Sequence, residues 1–289
     1  MSNKNLIIEE RSRNIGDFRV GRILPFRKKR MVGPFIYFDH MGPKEFGPDE
    51  RMDIGPHPHI GLSTLTYLLE GKIVHRDSLG TEQAITPGAV NWMTAGKGIV
   101  HSERSPKDPE EIVNRMHGLQ IWVALPLAFE DTEPSFHHTE AKDLPAWKED
   151  GLSYKLIAGE AFGKKSPVPV YSQLFLVEIK AIEDQAMALN RGVEGEVAIY
   201  VLEGSVNTGD ENIEAGHVLV STCNESCSFS INEGSHILVF GGKPFEEERH
   251  IYWNFVASKK EKIENARERW KNHEFPKVPG DDGYVPLPE

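Results

Sequence analysis

At 289 residues, 39% hydrophobic and 27% charged with 26 Gly and 19 Pro, the chain has the composition of a turn-rich globular protein large enough for two cores. A formal net charge of −11 argues against direct binding to a nucleic-acid backbone, which needs a positive surface. No apolar run approaches the ~20 residues that cross a bilayer, so no membrane contact is expected.

The opening segment, "MSNKNLIIEERSRNIGDFRV", is broken by charges and offers no apolar signal core. Cys223 and Cys227 are too few for a disulfide framework, and without a second pair their C-x-x-x-C spacing reads as two small residues in a strand and its turn. A cytoplasmic protein is expected, or also a nuclear one if the host is eukaryotic. The basic run Arg27–Arg30 reads as a solvated loop, with a docking patch or nuclear address as the alternative.

From "GPHP" at Gly55 onward, turn signals recur every ten residues or so: "EGK", "SLGT", "PGA", "TAGKG", then "GVEG", "LEGS", "TGDEN", "EAGH" and "NEGS". Between them lie short runs rich in β-branched and aromatic residues, such as "STLTYLL", "AVNWM", "VAIYVL" and "HILVFG". This spacing predicts an all-β protein of antiparallel sandwiches or barrels. The stretch Thr66–Ile73, "TYLLEGKI", is echoed by "IYVLEGSV" at Ile199–Val206, and "PGAV" by "AGHV", which points to a duplicated barrel. The division is expected in the polar, proline-containing segment between Glu133 and Gly151. An N-terminal barrel then covers residues 1–140, and a second barrel with helix and tail covers 141–289. The helix is expected in "ASKKEKIENARERWKNHEF", opened by a Ser258/Glu261 capping box, with Ile263, Ala266 and Trp270 packing on a barrel. The following "PKVPGDDGYVPLPE" reads as an extended tail.

His57 and His59 occupy alternate positions of one strand, so both side chains face the same way about 7 Å apart. His101 and Glu103 in "GKGIVHSE" repeat the spacing. If the two strands are neighbours, three imidazoles and one carboxylate converge. Either pair alone is a weak signal, because histidines on a barrel face are often satisfied by hydrogen bonds. The internal repeat strengthens the reading. Asn190, Gly192, Phe229 and Ile231 stand at the equivalent positions of the second copy, which keeps the turn glycines and lacks all four donors. One metal-binding and one structural barrel are therefore expected.

At these residues the chain resembles the pirin family of two-barrel cupins. "FDHMGP", "HPHIGLSTLTYLLEG", "PGAVNWMTAGKGIVHSE" and "GLQIWVALP" look like its signature segments, and the resemblance covers nearly the full length. It implies a bicupin of two jelly-roll barrels, with His57, His59, His101 and Glu103 as ligands of one divalent metal ion. Most cupins carry a glutamate four or five residues after the second histidine. Ser63 and Thr64 stand there, so the carboxylate comes from Glu103. Such a donor set suits first-row metals: Fe(II), favoured by the resemblance, or Zn, Cu, Ni or Mn.

The resemblance further implies a quercetin 2,3-dioxygenase type of chemistry. In it a flavonol or related phenolic is opened by O2 with release of carbon monoxide, and Glu103 acts as the base for the 3-hydroxyl. The alternative it allows is an iron-dependent, redox-sensing regulatory partner protein without turnover. A blander alternative is a structural metalloprotein with a closed zinc site. Trp92, Met93, Gln120 and Trp122 are the substrate-binding candidates, with an ordinary core role as the alternative for each aromatic. Asp39 and His40 either hydrogen-bond toward the site or order a turn. His75, His117, His137, His138, His217, His236, His250 and His273 read as non-ligands, none having a paired carboxylate or histidine that a matching repeat argument supports.

Overall fold

The computed structural model describes residues 6–15, 18–47, 50–107, 114–188, 192–221 and 228–288; Cys223, Cys227 and Asn190 lie outside the described residues. The fold is all-β with one α-helix among the described residues, and two cupin domains make up the chain. Its backbone divides into two compact units. One comprises Met1–Ser12, Gly21–Tyr37 and Lys142–Pro244, and the other Arg13–Val20, Phe38–Ala141 and Phe245–Glu289.

The unit containing Phe38–Ala141 is built from two sheets. The smaller orders its strands as Asp53–His59, Ile99–Arg104, Ile73–Asp77 and Glu82–Ile85. The larger includes, in order, Ser135–Thr139, Val90–Thr94, Leu62–Glu70, Arg115–Ala124 and Phe35–Glu45. One end of this unit is closed by apolar side chains, among them Met41, Leu68, Ile73, Ile85 and Met116. The polar residues that concern function lie elsewhere on the same strands. Gly61 turns the chain from the Asp53–His59 strand into Leu62–Glu70 at φ +67°, and a Cβ there would collide with the Val256 carbonyl oxygen. Only glycine fits that turn at no cost, which fixes where the strand carrying His57 and His59 ends.

The other unit repeats the plan. Its large sheet runs Leu6–Glu9, His217–Ser221, Glu196–Glu203, His236–Gly242, Leu174–Ala181, Leu152–Ala161 and Ala146–Glu149. Its small sheet runs Gln185–Ala188, Ser228–Ile231, Ser205–Asn207 and Asn212–Glu214. The two echoed sequences, in Leu62–Glu70 and Glu196–Glu203, hold the same place in their respective sheets. Phe229 and Ile231 join Phe175, Val177, Ile199 and Val239 in this unit's hydrophobic core. In the basic loop, Lys29 Nζ pairs with Glu196 Oε1 at 2.5 Å while Arg27, Lys28 and Arg30 are exposed.

The helix spans Lys260–Lys271 and buries Ile263, Ala266 and Trp270, the three residues of the expected stripe. Two details differ from expectation. Phe245–Glu289 groups with Phe38–Ala141 rather than with the barrel that precedes it in sequence, because the stripe packs on Ile60, Val100 and Phe255. The Ser258/Glu261 capping box does not form either. Lys259 is the N-cap and makes no side-chain cap bond. Instead the buried Glu130 carboxylate accepts from the Ser258 N–H at 2.5 Å, the Ser258 hydroxyl at 2.9 Å and Lys262 Nζ at 2.8 Å. Glu130 thereby takes the Ser258 N–H that the Glu261 carboxylate would accept in a capping box. Residues 272–288 have no regular structure and are tied by Arg104 to Asp281, Trp270 Nε1 to the Val285 carbonyl, and Val285 N–H to the Pro56 carbonyl.

Candidate metal centre

Strand pairing brings the two histidine-bearing motifs together. Asp53–His59 runs antiparallel to Ile99–Arg104, with His57 opposite His101 and His59 opposite Ile99. A register shift between His101 and Glu103 sets Glu103 opposite Ile54. On the other edge, Ile73–Asp77 pairs with Ile99–Arg104, so that His101 faces Asp77 and Glu103 faces His75.

The three imidazoles of His57, His59 and His101 meet, each offering a nitrogen within 4.8 Å of the others, as a group that could hold a metal ion. Ring centroids are 4.4 Å apart for His57 and His101, 5.0 Å for His59 and His101, and 5.1 Å for His57 and His59. His59 Nε2 lies 3.1 Å from His101 Nε2. All three are buried. Burial drives the His57 pKa down to about 4 against the opposing Gly55 carbonyl, and burial with the neighbouring imidazoles holds His59 and His101 well below the usual histidine range. All three are therefore neutral at pH 7, the state in which a ring nitrogen offers a lone pair to a cation. His57 Nδ1 lies 2.8 Å from the Gly55 carbonyl oxygen. Because a carbonyl only accepts, that nitrogen carries the proton and Nε2 is the free donor atom.

Glu103 shares the face of His101 and is buried, but it stands outside the close group of three. The Thr66 hydroxyl lies 3.1 Å from Glu103 Oε1 and 2.9 Å from Gln120 Oε1. One hydroxyl proton cannot serve two acceptors. With Glu103 ionised, Thr66 donates to it, and the Gln120 amide, turned by half a rotation, donates to Thr66. Burial raises the Glu103 pKa, opposed by the nearby His75 and by the Thr66 hydroxyl.

Of the remaining residues singled out by sequence, Trp122 stands edge-on to His59, with ring centroids 5.1 Å apart, and Gln120 joins the chain to Glu103. Met93 packs with Ala95, Ile99 and Phe136. Trp92 alternates to the opposite face of its strand from Met93, is buried, and donates from Nε1 to Thr94 Oγ1 at 3.1 Å, so it is a packing residue rather than a neighbour of the imidazoles. Asp39 and His40 lie within the Phe35–Glu45 strand rather than a turn, and His40 Nε2 is 2.7 Å from His117 Nε2.

Three of the histidines read as non-ligands lie beside a carboxylate. His75 Nε2 is 3.0 Å from Asp77 Oδ2, His138 Nε2 is 3.3 Å from Glu140, and His236 Nε2 is 2.8 Å from Glu178. His75 is the consequential one, since its Nδ1 also lies 3.2 Å from His101 Nδ1. The signal was present in the sequence as a third i, i+2 pair, His75 and Asp77, with the same spacing as the other two.

Two barrels of matching strand order, one enclosing a buried trio of neutral imidazoles that could hold a metal ion, define the class of two-barrel cupins. Residues 17–123 match the Pirin family model and residues 176–276 that of the Pirin C-terminal cupin domain. The chain belongs to the pirin family. It is 46% identical to a pirin-like protein of Caulobacter vibrioides over 289 residues, covering 99% of each. It also resembles the crystal structure of quercetin 2,3-dioxygenase from Acinetobacter baumannii, with TM-score 0.90 and 36% identity over 99% of this chain and 95% of that one. A bacterial pirin of Escherichia coli in complex with nickel(II) shares the fold at TM-score 0.65 and 20% identity, over 84% of this chain and 100% of the other. No described helix is long and apolar enough to cross a membrane.

Proposed function

We propose that the protein is a metal-dependent dioxygenase that opens the ring of quercetin or a related flavonol with O2, using Fe(II) held by His57, His59, His101 and Glu103. The observation that carries this reading is the pair of Nε2 atoms 3.1 Å apart in a buried, neutral imidazole trio. Two nitrogens bound at right angles to one cation, each at about 2.1 Å, would stand about 3 Å apart. The likeness to the Acinetobacter quercetin 2,3-dioxygenase supports the choice of substrate.

A divalent ion held there supplies positive charge that favours a deprotonated, chelating phenolic over a neutral one, and access to O2 chemistry. The chain's residues do the rest. Glu103 accepts the proton of the flavonol 3-hydroxyl, and its buried site, which raises its affinity for a proton, suits that task. Thr66 and Gln120 hold the carboxylate in place, and Trp122 offers an aromatic wall beside His59. The second barrel, with Gly192, Phe229 and Ile231 at the equivalent positions, serves as a structural domain.

Fe(II)-loaded protein mixed with quercetin should bleach it in air and not under nitrogen, and His59→Ala should abolish the bleaching. Absence of bleaching in wild type, or undiminished bleaching in the variant, removes the proposal. Redox-dependent capture of a protein partner with no turnover would assign the regulatory role instead.

A further inference from the structure

Behind the three imidazoles runs a chain of hydrogen-bonding groups that the proposed reaction does not use. Asp77 is fully buried, and both of its oxygens are engaged. Oδ1 accepts the backbone N–H of Leu79 at 2.9 Å and of Thr81 at 3.1 Å, and Oδ2 lies 3.0 Å from His75 Nε2. Burial would raise its pKa, but the contacts from His75 and the two N–H groups hold it below the usual carboxylate range, so it is ionised and can only accept. His75 is buried and stacks on Phe136, with centroids 4.4 Å apart and planes at 23°, which fixes the ring plane. Its Nδ1 faces His101 Nδ1 at 3.2 Å.

The proton positions follow in sequence. A carboxylate that only accepts takes a proton from His75 Nε2, and a ring protonated at that nitrogen alone keeps a lone pair on Nδ1. That lone pair requires a proton on His101 Nδ1. The lone pair of His101 is thereby confined to Nε2, the atom facing His59 Nε2. We infer that Asp77 and His75 are positioning residues that lock His101 into the tautomer able to bind the metal. This rests on the assignment of His101 as a ligand. Aligned groups ending on a buried carboxylate also make Nε2 a stronger donor, and loss of such outer partners typically costs about 10- to 100-fold in metal affinity.

The discriminating variant is Asp77→Asn. Its amide oxygen can keep the Leu79 and Thr81 N–H groups, so the amide nitrogen then faces His75. The polarity of the whole chain reverses, and the His101 proton moves to Nε2, where it blocks the cation. His75→Phe keeps an aromatic ring against Phe136 and removes the link without reversing it. The first readout is the His101 tautomer in metal-free protein, from long-range 1H–15N correlation of the imidazoles. Wild type should show the proton on Nδ1, and Asp77→Asn should show it on Nε2. The second readout is calorimetric titration with Ni(II) alone. Affinity should fall by about 10- to 100-fold in His75→Phe and by more in Asp77→Asn, with near-ultraviolet circular dichroism unchanged.

A wild-type His101 protonated on Nε2, or Ni(II) affinity unchanged in both variants, overturns the inference. Wild-type protein with the proton on Nδ1 that takes up no Ni(II) supports the tautomer lock and overturns the metal reading alone.

Discussion

The Nε2 atoms of His59 and His101 stand 3.1 Å apart with neither ring exposed to solvent. Two lone pairs so placed repel unless a proton or a cation lies between them, and a bound cation relieves that repulsion for both rings at once. Replacing His101 with Ala should therefore remove metal more completely than any change to a residue behind the site, exceeding the about 10- to 100-fold typical of outer partners. Thermal unfolding with and without Ni(II) checks this. Ligand at 100 times its Kd stabilises wild type by about 2.7 kcal/mol, and the variant should show no shift.

Thr66 links Glu103 to Gln120 through one hydroxyl. Thr66→Val keeps the shape and removes the link, at about 1 kcal/mol of stability. Quercetin bleaching by the Fe(II)-loaded variant should fall while Ni(II) uptake stays close to wild type. Unchanged bleaching would show that the carboxylate needs no such support.

The Glu130 carboxylate, 1% exposed, binds Ser258 and Lys262 and lies 4.0 Å from the fully buried guanidinium of Arg249. Glu130→Ala removes the buried counter-charge of that cation, leaving only the exposed Glu247 carboxylate at 3.8 Å, and frees the start of the helix, for a loss of up to about 3–5 kcal/mol. Urea unfolding followed by tryptophan fluorescence measures it. Glu130→Gln, which can still accept from Ser258, should lose less.

Arg104 reaches Asp281 through Nε at 2.9 Å and a second nitrogen at 3.0 Å, next in sequence to Glu103. Burial alone would raise the Asp281 carboxyl, but the guanidinium and the Gly283 N–H hold it below the usual range. A folded pKa below the unfolded one means stability that is present above about pH 3.9 and lost as pH falls through the folded value. Wild type should be more stable than Asp281→Asn at pH 7, and the two should converge below the normal carboxylate range. A constant difference across that range would refute the ionic role.

Trp270 closes the helix stripe against Phe275 and Val278. Trp270→Ala should cost about 3–5 kcal/mol, read as a lower urea midpoint.

The barrels were legible because their strands are short and their turns carry glycine at regular intervals, a pattern that survives duplication. The two halves of the site were legible for a local reason: alternation along a strand puts His57 with His59, and His101 with Glu103, whatever the partner strand does, while their meeting rests on the pairing of the two strands. What depended on the partner was not legible. His75 matters because the pairing of Ile73–Asp77 with Ile99–Arg104 places it behind His101, and no property of "VHRD" alone states that register. Trp92 was one position out of phase with the interior face of its strand. Ser258 has the spacing of a cap, yet its hydrogen bonds go to Glu130, which sequence reading has no means of pairing with it. Chain order, the only neighbour relation a sequence displays, assigns the helix to the barrel before it.

The matching strand order of the two units has a consequence for the ion itself. One unit closes the same architecture with Phe229 and Ile231 in its core, where the other has His101 and Glu103. A cation is therefore not the rivet of this kind of barrel. The shared strand order closes over apolar side chains as well as over imidazoles.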